Sequence, residues 1–229
     1  MWKSERVVMK EKKVFILAVP TVIIIIAFIV GIVAIYYNRN LKKLSREDAK
    51  TLASKVALID NISCEIITEG TGDDGYKTVS DYKLKDGKLI SKVDSFKIYD
   101  DSNEKKLIQI DDDSKVAYEY SEYKSEIDNF RNLICSAEKL LESEDLEYSF
   151  KEYSTANGMK CANFTLSNNE SSYNIWLDRS TGMIVKMECK YFSGNSTNGN
   201  NIYYRYQIGN VSDEMVKMPD LSNYSIVDL

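Results

Sequence analysis

From Val14 to Tyr37 the chain runs for 24 residues without a single charge, VFILAVPTVIIIIAFIVGIVAIYY, and nothing else limits its possible folds so strongly. At about 1.5 Å per residue a helix of that length measures roughly 36 Å, enough to cross a hydrocarbon core of about 30 Å with some tilt. A secretory signal peptide would have an apolar core of about 7–15 residues followed by small residues at a cleavage site. Here the run ends instead in the bulky sequence Ile35-Tyr36-Tyr37-Asn38-Arg39, and no Cys near its end offers a lipid attachment point. Ile23-Ile24-Ile25-Ile26 leaves no polar face of the kind a buried soluble helix keeps. The segment therefore predicts a retained single-pass transmembrane helix, with Pro20 causing at most a kink.

Four segments follow from that anchor: a short basic tail at 1–13, the transmembrane helix at 14–37, a stalk at 38–44, and a domain at 45–229. Lys3, Arg6, Lys10, Lys12 and Lys13 before the span nearly balance Arg39, Lys42, Lys43, Arg46, Lys50 and Lys55 after it. The positive-inside rule thus decides little by itself. The leader is too short to fold and the remainder is strand-rich, so the N-terminus is placed in the cytoplasm and the domain outside the cell membrane. Met9-Lys10-Glu11-Lys12-Lys13 would also serve as a start.

Residues 38–229 hold 25 basic against 33 acidic side chains, a net charge of −8. Nucleic acid is a poor partner for so acidic a domain, because that affinity rests on neutralising phosphates. The chain has no histidine, which removes Ser-His-Asp and Cys-His nucleophilic catalysis and histidine metal sites.

Periodicity supplies the layout. Ser45-Arg46-Glu47-Asp48 has the spacing of a capping box, and Ala49, Leu52, Ala53, Val56 and Ala57 then form one helical stripe. From Ile62 the period becomes two, with strands predicted from 62, at 76–84, 88–99, 105–110 and 115–120. Asp86-Gly87 marks one hairpin. A second helix is predicted at about 122–142, with Ile127, Phe130, Ile134, Ala137 and Leu141 on one face. Strands resume at 145–153, 159–167, 172–178, 183–192 and 202–209. Arg179-Ser180-Thr181-Gly182 reads as a hairpin loop with Gly182 left-handed. Pairing Leu177 with Met183 puts Tyr173, Ile175 and Leu177 opposite Met187, Val185 and Met183. Ala162, Phe164, Leu166, Cys189, Tyr191, Tyr204, Tyr206 and Ile208 continue that apolar face, leaving Trp176 and Ile184 on the polar back. The predicted fold class is α+β: a transmembrane helix, then a strongly curved antiparallel sheet covered by about two amphipathic helices.

This layout resembles the lipoprotein-carrier superfamily, LolA/LolB-like. Ile175-Trp176-Leu177-Asp178-Arg179-Ser180-Thr181-Gly182-Met183-Ile184-Val185-Lys186-Met187 is similar to the family's W-x-D-x-x-T-G-x-x-x-K hairpin. Met218-Pro219-Asp220-Leu221-Ser222-Asn223-Tyr224 is similar to its Pro-Asp-Leu-Ser-x-Tyr finish. The resemblance covers most of 45–225 and implies an open half-barrel without catalysis, whose concave face cradles an acyl chain or a helix. On that face the expected ligand- or partner-binding residues are Phe164, Leu166, Tyr173, Ile175, Leu177, Val185, Met187, Tyr204, Tyr206 and Ile208. Two departures count: the retained span and the absence of a lipobox Cys. The Lys-, Asn- and Ile-rich composition points to an AT-rich Gram-positive genome, which has no outer membrane to receive lipoproteins. The nearest resemblance is then to the clostridial GerS-like germination lipoproteins, which implies docking of a peptidoglycan amidase of the envelope or spore cortex. The alternative is a carrier or sensor of lipid or lipoprotein acyl chains.

Other readings weigh less. Cys64, Cys135, Cys161 and Cys189 read as buried free thiols, with a Cys64–Cys135 bridge as the alternative. Asp73-Asp74, Asp100-Asp101 and Asp111-Asp112-Asp113 read as turn-tip acids; neither calcium binding nor paired-carboxylate hydrolysis has the spacing it needs. No cofactor or metal is expected. The 16 tyrosines read first as good strand residues, and second as groove lining.

Overall fold

The computed structural model describes residues 43–71, 75–193 and 196–229. The expected tail at 1–13, the transmembrane helix at 14–37 and nearly all of the stalk lie outside the described residues, as does Asp73-Asp74. Among the described residues no helix is long and apolar enough to cross a membrane. Leu44–Leu229 forms one compact unit, beginning one residue before the expected domain start.

The first helix, α1 (Arg46–Ala53), starts as its sequence dictates: the Ser45 hydroxyl accepts from the Asp48 amide at 3.1 Å. After Ala53 the chain tightens into a 3-10 turn, Ser54–Leu58. At three residues per turn the stripe rotates, so Val56 stays buried while Ala57, expected inside, is exposed.

Twelve strands then build a single open sheet in the order β12-β6-β5-β4-β3-β2-β1-β11-β10-β9-β8-β7. In chain order they are β1 (Asn61–Gly70), β2 (Lys77–Lys85), β3 (Lys88–Val93), β4 (Phe96–Asp101), β5 (Lys106–Asp111) and β6 (Val116–Glu119). After two helices come β7 (Glu147–Ala156), β8 (Met159–Ser167), β9 (Ser171–Asp178), β10 (Ile184–Ser193), β11 (Ser196–Ile208) and β12 (Ser225–Asp228). The strand expected at 88–99 is really two, because Asp94 adopts φ 53 and turns the chain between β3 and β4. The sheet is antiparallel except for β12, which lies parallel to β6, a departure from the all-antiparallel expectation.

The single helix expected at 122–142 is two short ones, α2 (Glu126–Ile134) and α3 (Ser136–Glu142), broken at Cys135. The break leaves the stripe intact: Ile127, Phe130, Ile134, Ala137 and Leu141 are all buried. Arg46 ties the helices together. Its guanidinium donates to the carbonyls of Leu141 at 2.9 Å, Leu146 at 2.9 Å and Ser143. These include orphan acceptors at the end of α3, which a cation satisfies well.

The register of the late hairpins is corrected in detail. Asp178 N donates to Met183 O, so Leu177 faces Ile184 rather than Met183. A bulge at Val185 adds a second one-residue shift. The two shifts sum to an even number, so Ile175, Met187, Tyr173 and Cys189 keep the expected face. Met187 now faces Ile175, and Cys189 faces Tyr173. Ile184, assigned to the back, belongs to the main core, whereas Val185 is buried outside it. Phe164 opposite Ile175 and Leu166 opposite Tyr173 stand as expected.

Two cores lie on opposite faces. The main one joins the helices to the inner face of β1–β3 and β8–β11. The second, Tyr99, Ile108, Ile110 and Ala117, lies on the back of β4–β6 beneath Leu221 and Tyr224 of the chain's last segment. The Pro-Asp-Leu-Ser-x-Tyr finish is therefore a cover for the far end of the sheet.

Candidate functional site

The inner face has a roofed part and a bare part. Under the helices it is filled: Phe164, Leu166, Ile175, Leu177 and Tyr204 are fully buried and Met187 nearly so. Phe130 of α2 stacks on Tyr82 of β2 with centroids 4.7 Å apart, and Tyr148 tilts against Phe164 at 5.3 Å. Of the ten residues expected to bind a ligand or partner, six thus form the floor of a packed interior. Val185 is buried at its bulge, Tyr173 and Tyr206 are half-buried, and Ile208 is 45% exposed.

Tyr206 has a defined duty. Its hydroxyl donates to Asp178 Oδ2 at 2.7 Å, where Thr181 Oγ1 also donates at 2.7 Å and the Ser180 amide reaches Oδ1 at 3.0 Å. Burial opposes ionisation of Asp178, but the bonds from Ser180, Tyr206 and Thr181 outweigh it and hold the carboxyl below its ordinary range. The W-x-D-x-x-T-G motif is therefore turn architecture. Gly182 completes it with φ +80, and a Cβ there would stand 2.0 Å from the Leu52 carbonyl of α1. The hairpin tip and the first helix touch through that bare Cα.

The bare part lies at β4–β6. Because the second core sits on the other side of these strands, no helix covers their inner face. A depression of about 480 Å³ opens there, lined by Ile98, Leu107, Gln109, Tyr120 and Leu229, with Ser121, Glu122, Lys124 and Glu126 along its rim. Tyr120 donates to Gln109 Oε1 at 2.9 Å. The rim is fixed by Asp100, whose fully buried carboxylate accepts from Tyr123 at 2.8 Å and from the Ile127 amide at 2.9 Å. A strand thereby caps α2 from outside. Sequence reasoning missed this site. Its one signal was Leu107-Ile108-Gln109-Ile110, a run too continuously apolar for a strand with one wet face.

A second, larger depression of about 750 Å³ lies on the back of β11-β1-β2-β3-β4, lined by Glu65, Asp81, Lys83, Lys92, Lys97 and Arg205. It is open and charged. Arg205 pairs with Glu65 at 2.8 Å and Lys97 with Asp112 at 2.5 Å.

The acids read as turn tips are mostly engaged. Asp100 and Asp101 are not in water at all: both are fully buried, a correction to their reading as hairpin tips. Asp101 accepts from the Asn103 amide at 3.0 Å and pairs with Lys88 at 3.2 Å. Asp111 accepts from the amides of Asp113 and Ser114. Among the described residues no three His, Cys, Asp or Glu side chains converge as metal ligands. The four thiols are unbridged. Burial pushes Cys64 up to about 12 and Cys189 up to about 11, and raises Cys135 and Cys161 as well. None is poised as a thiolate nucleophile.

Compared with protein-family models and with curated proteins, the sequence matches none. Among solved structures the fold is similar to an uncharacterized conserved protein from Thermus thermophilus. That alignment covers 79% of this chain and 99% of the other, at 6% identity and a TM-score of 0.45. A LolA superfamily protein from Nitrosomonas europaea aligns over 74% of this chain and 97% of its own, at 8% identity and a TM-score of 0.31. The Pseudomonas aeruginosa MucA/MucB complex contributes a match over 80% of this chain and 64% of the other, at 11% identity and a TM-score of 0.43.

Proposed function

We propose that this chain is a membrane-anchored, non-catalytic binding protein whose N-terminus is cytoplasmic and whose half-barrel domain docks a protein of the cell envelope outside the membrane. The narrower reading, by its resemblance to the GerS-like proteins, is a peptidoglycan amidase of the spore cortex as partner. One observation carries the choice of docking over lipid carriage. A carrier needs an empty apolar chamber between sheet and helices, and here that space is occupied by Phe164, Leu166, Ile175 and Tyr204 beneath Ile127, Phe130 and Ile134. The accessible apolar surface of the inner face is the small depression at Ile98 and Leu107, which suits one or two partner side chains better than an acyl chain.

The test is photo-crosslinking in cells that make the full chain. A photoreactive residue in place of Ile98 should give an adduct with one discrete protein, absent when the probe replaces the exposed Lys139 of α3. Adducts to lipid alone from Ile98 would overturn the docking reading.

A further inference from the structure

The two edges of the sheet are treated differently. At one edge β7 is bulged between Phe150 and Glu152 and carries Glu147, Lys151 and Glu152, the usual defences against pairing with another strand. At the other, β12 has no bulge and a single charge, Asp228, and every residue in it is exposed. Ile226 is 58% exposed and Val227 38%, and Leu229 just beyond is 55% exposed. Its inward bonds are accounted for: Ser225 N donates to Lys115 O and Leu229 N to Glu119 O, both at 2.9 Å, and Ser121 N donates to Leu229 O at 2.8 Å. Strand residues alternate in direction, so the N–H and C=O groups of Ile226 and Asp228 face away from β6, where no described strand meets them.

This open edge adjoins the bare depression, and Leu229 belongs to both. We infer that β12 is a strand-addition edge: an extended segment of the docked protein pairs with the backbone of Ile226 and Asp228 and sets an apolar side chain between Ile98, Leu107 and Leu229. The inference rests on the docking reading and supplies its geometry. Charge selects the segment. Glu122, Glu126 and Asp228 border the edge and its depression against one cation, Lys124, on a region whose net charge is −8. The complement is a segment in which apolar and basic residues alternate, with one face in the depression and cations toward the rim. A second copy of this chain would bring another Asp228 and no base to the same place.

The probe is a fluorescent, end-capped peptide of alternating lysine and valine, added to the full chain in detergent. Ile226→Pro removes an outward N–H while leaving the inward bonds of Ser225 and Leu229 in place, and Gln109→Trp fills the depression without touching the edge. The peptide is expected to bind, to slow amide exchange at Ile226 and Asp228, and to lose at least tenfold in affinity with either variant at an unchanged melting temperature. Glu122→Lys should weaken it several-fold. Absence of binding, protection that maps elsewhere, or affinity unchanged by Gln109→Trp would overturn the inference, as would a dimer that protects β12 without peptide. If the Ile98 probe still captures its protein in the Ile226→Pro chain, strand addition fails while docking stands. If it captures only lipid, docking itself has failed.

Discussion

Among single residues, those that look catalytic turn out to be structural, and each makes a measurable claim. Asp178 was legible as part of a turn motif, but the full set of donors at its carboxylate was not, since Tyr206 lies 28 residues away and only the fold brings it back. Replacing Asp178 by Asn strands the Tyr206 and Thr181 donors, and unfolding in denaturant should show a loss of about 1–3 kcal/mol. The pH dependence has a definite sign. Asp178 and Asp101 are held below their ordinary range in the folded state, so their contribution is present above about pH 4 and is lost as pH falls through their folded values. Stability of the wild type should therefore drop steeply below about pH 4, and Asp178→Asn should flatten that drop; equal slopes would contradict the network. Gly182→Ala combines a left-handed φ with a clash at Leu52 and should cost about 2 kcal/mol or more. A cost within experimental error would mean the hairpin does not touch α1. Native alkylation should leave all four thiols untouched over hours, whereas a Cys64–Cys135 peptide after digestion would refute their unbridged state.

Among elements, stripes and alternation were readable and their interruptions were not. Ser45-x-x-Asp48 marks α1 correctly, and Ser125-Glu126-Ile127-Asp128 repeats the same spacing at the true start of α2, where Ser125 accepts from Asp128 N at 3.2 Å. The apolar stripe alone extends that helix several residues too far upstream. The break at Cys135 leaves no trace in the stripe, because both halves face the same sheet. Likewise the bulge at Val185 is invisible to a period-two pattern that it shifts and then restores. What holds α1 to α3 is a tertiary cap, so Arg46→Lys should behave nearly like Arg46→Ala. A lysine cannot fork to three carbonyls, and both variants should lose about 2 kcal/mol. Hydrogen exchange should quicken in α1 and α3 while β9 and β10 stay protected. Full rescue by lysine would show that charge alone is at work.

At the scale of the whole molecule, the sequence conveyed an α+β domain with helices on an apolar sheet face, and even which residues form that face. It did not convey that the face would be filled. A stripe of Phe, Ile and Leu has one pattern whether it lines a chamber or a solid core, since the distinction depends on how closely the roof descends. Nor could it show that the sheet switches its core to the other side at β4–β6, because Leu107-Ile108-Gln109-Ile110 is apolar toward both faces. That switch leaves an accessible apolar depression on the inner side, and beside it the unguarded strand. The central claim is that the interior is packed and the working surface lies at its bare end. Its most direct test is native mass spectrometry of the full chain released from detergent. The account predicts the mass of the polypeptide with no tightly held lipid; a stoichiometric acyl-lipid adduct that survives activation would contradict it.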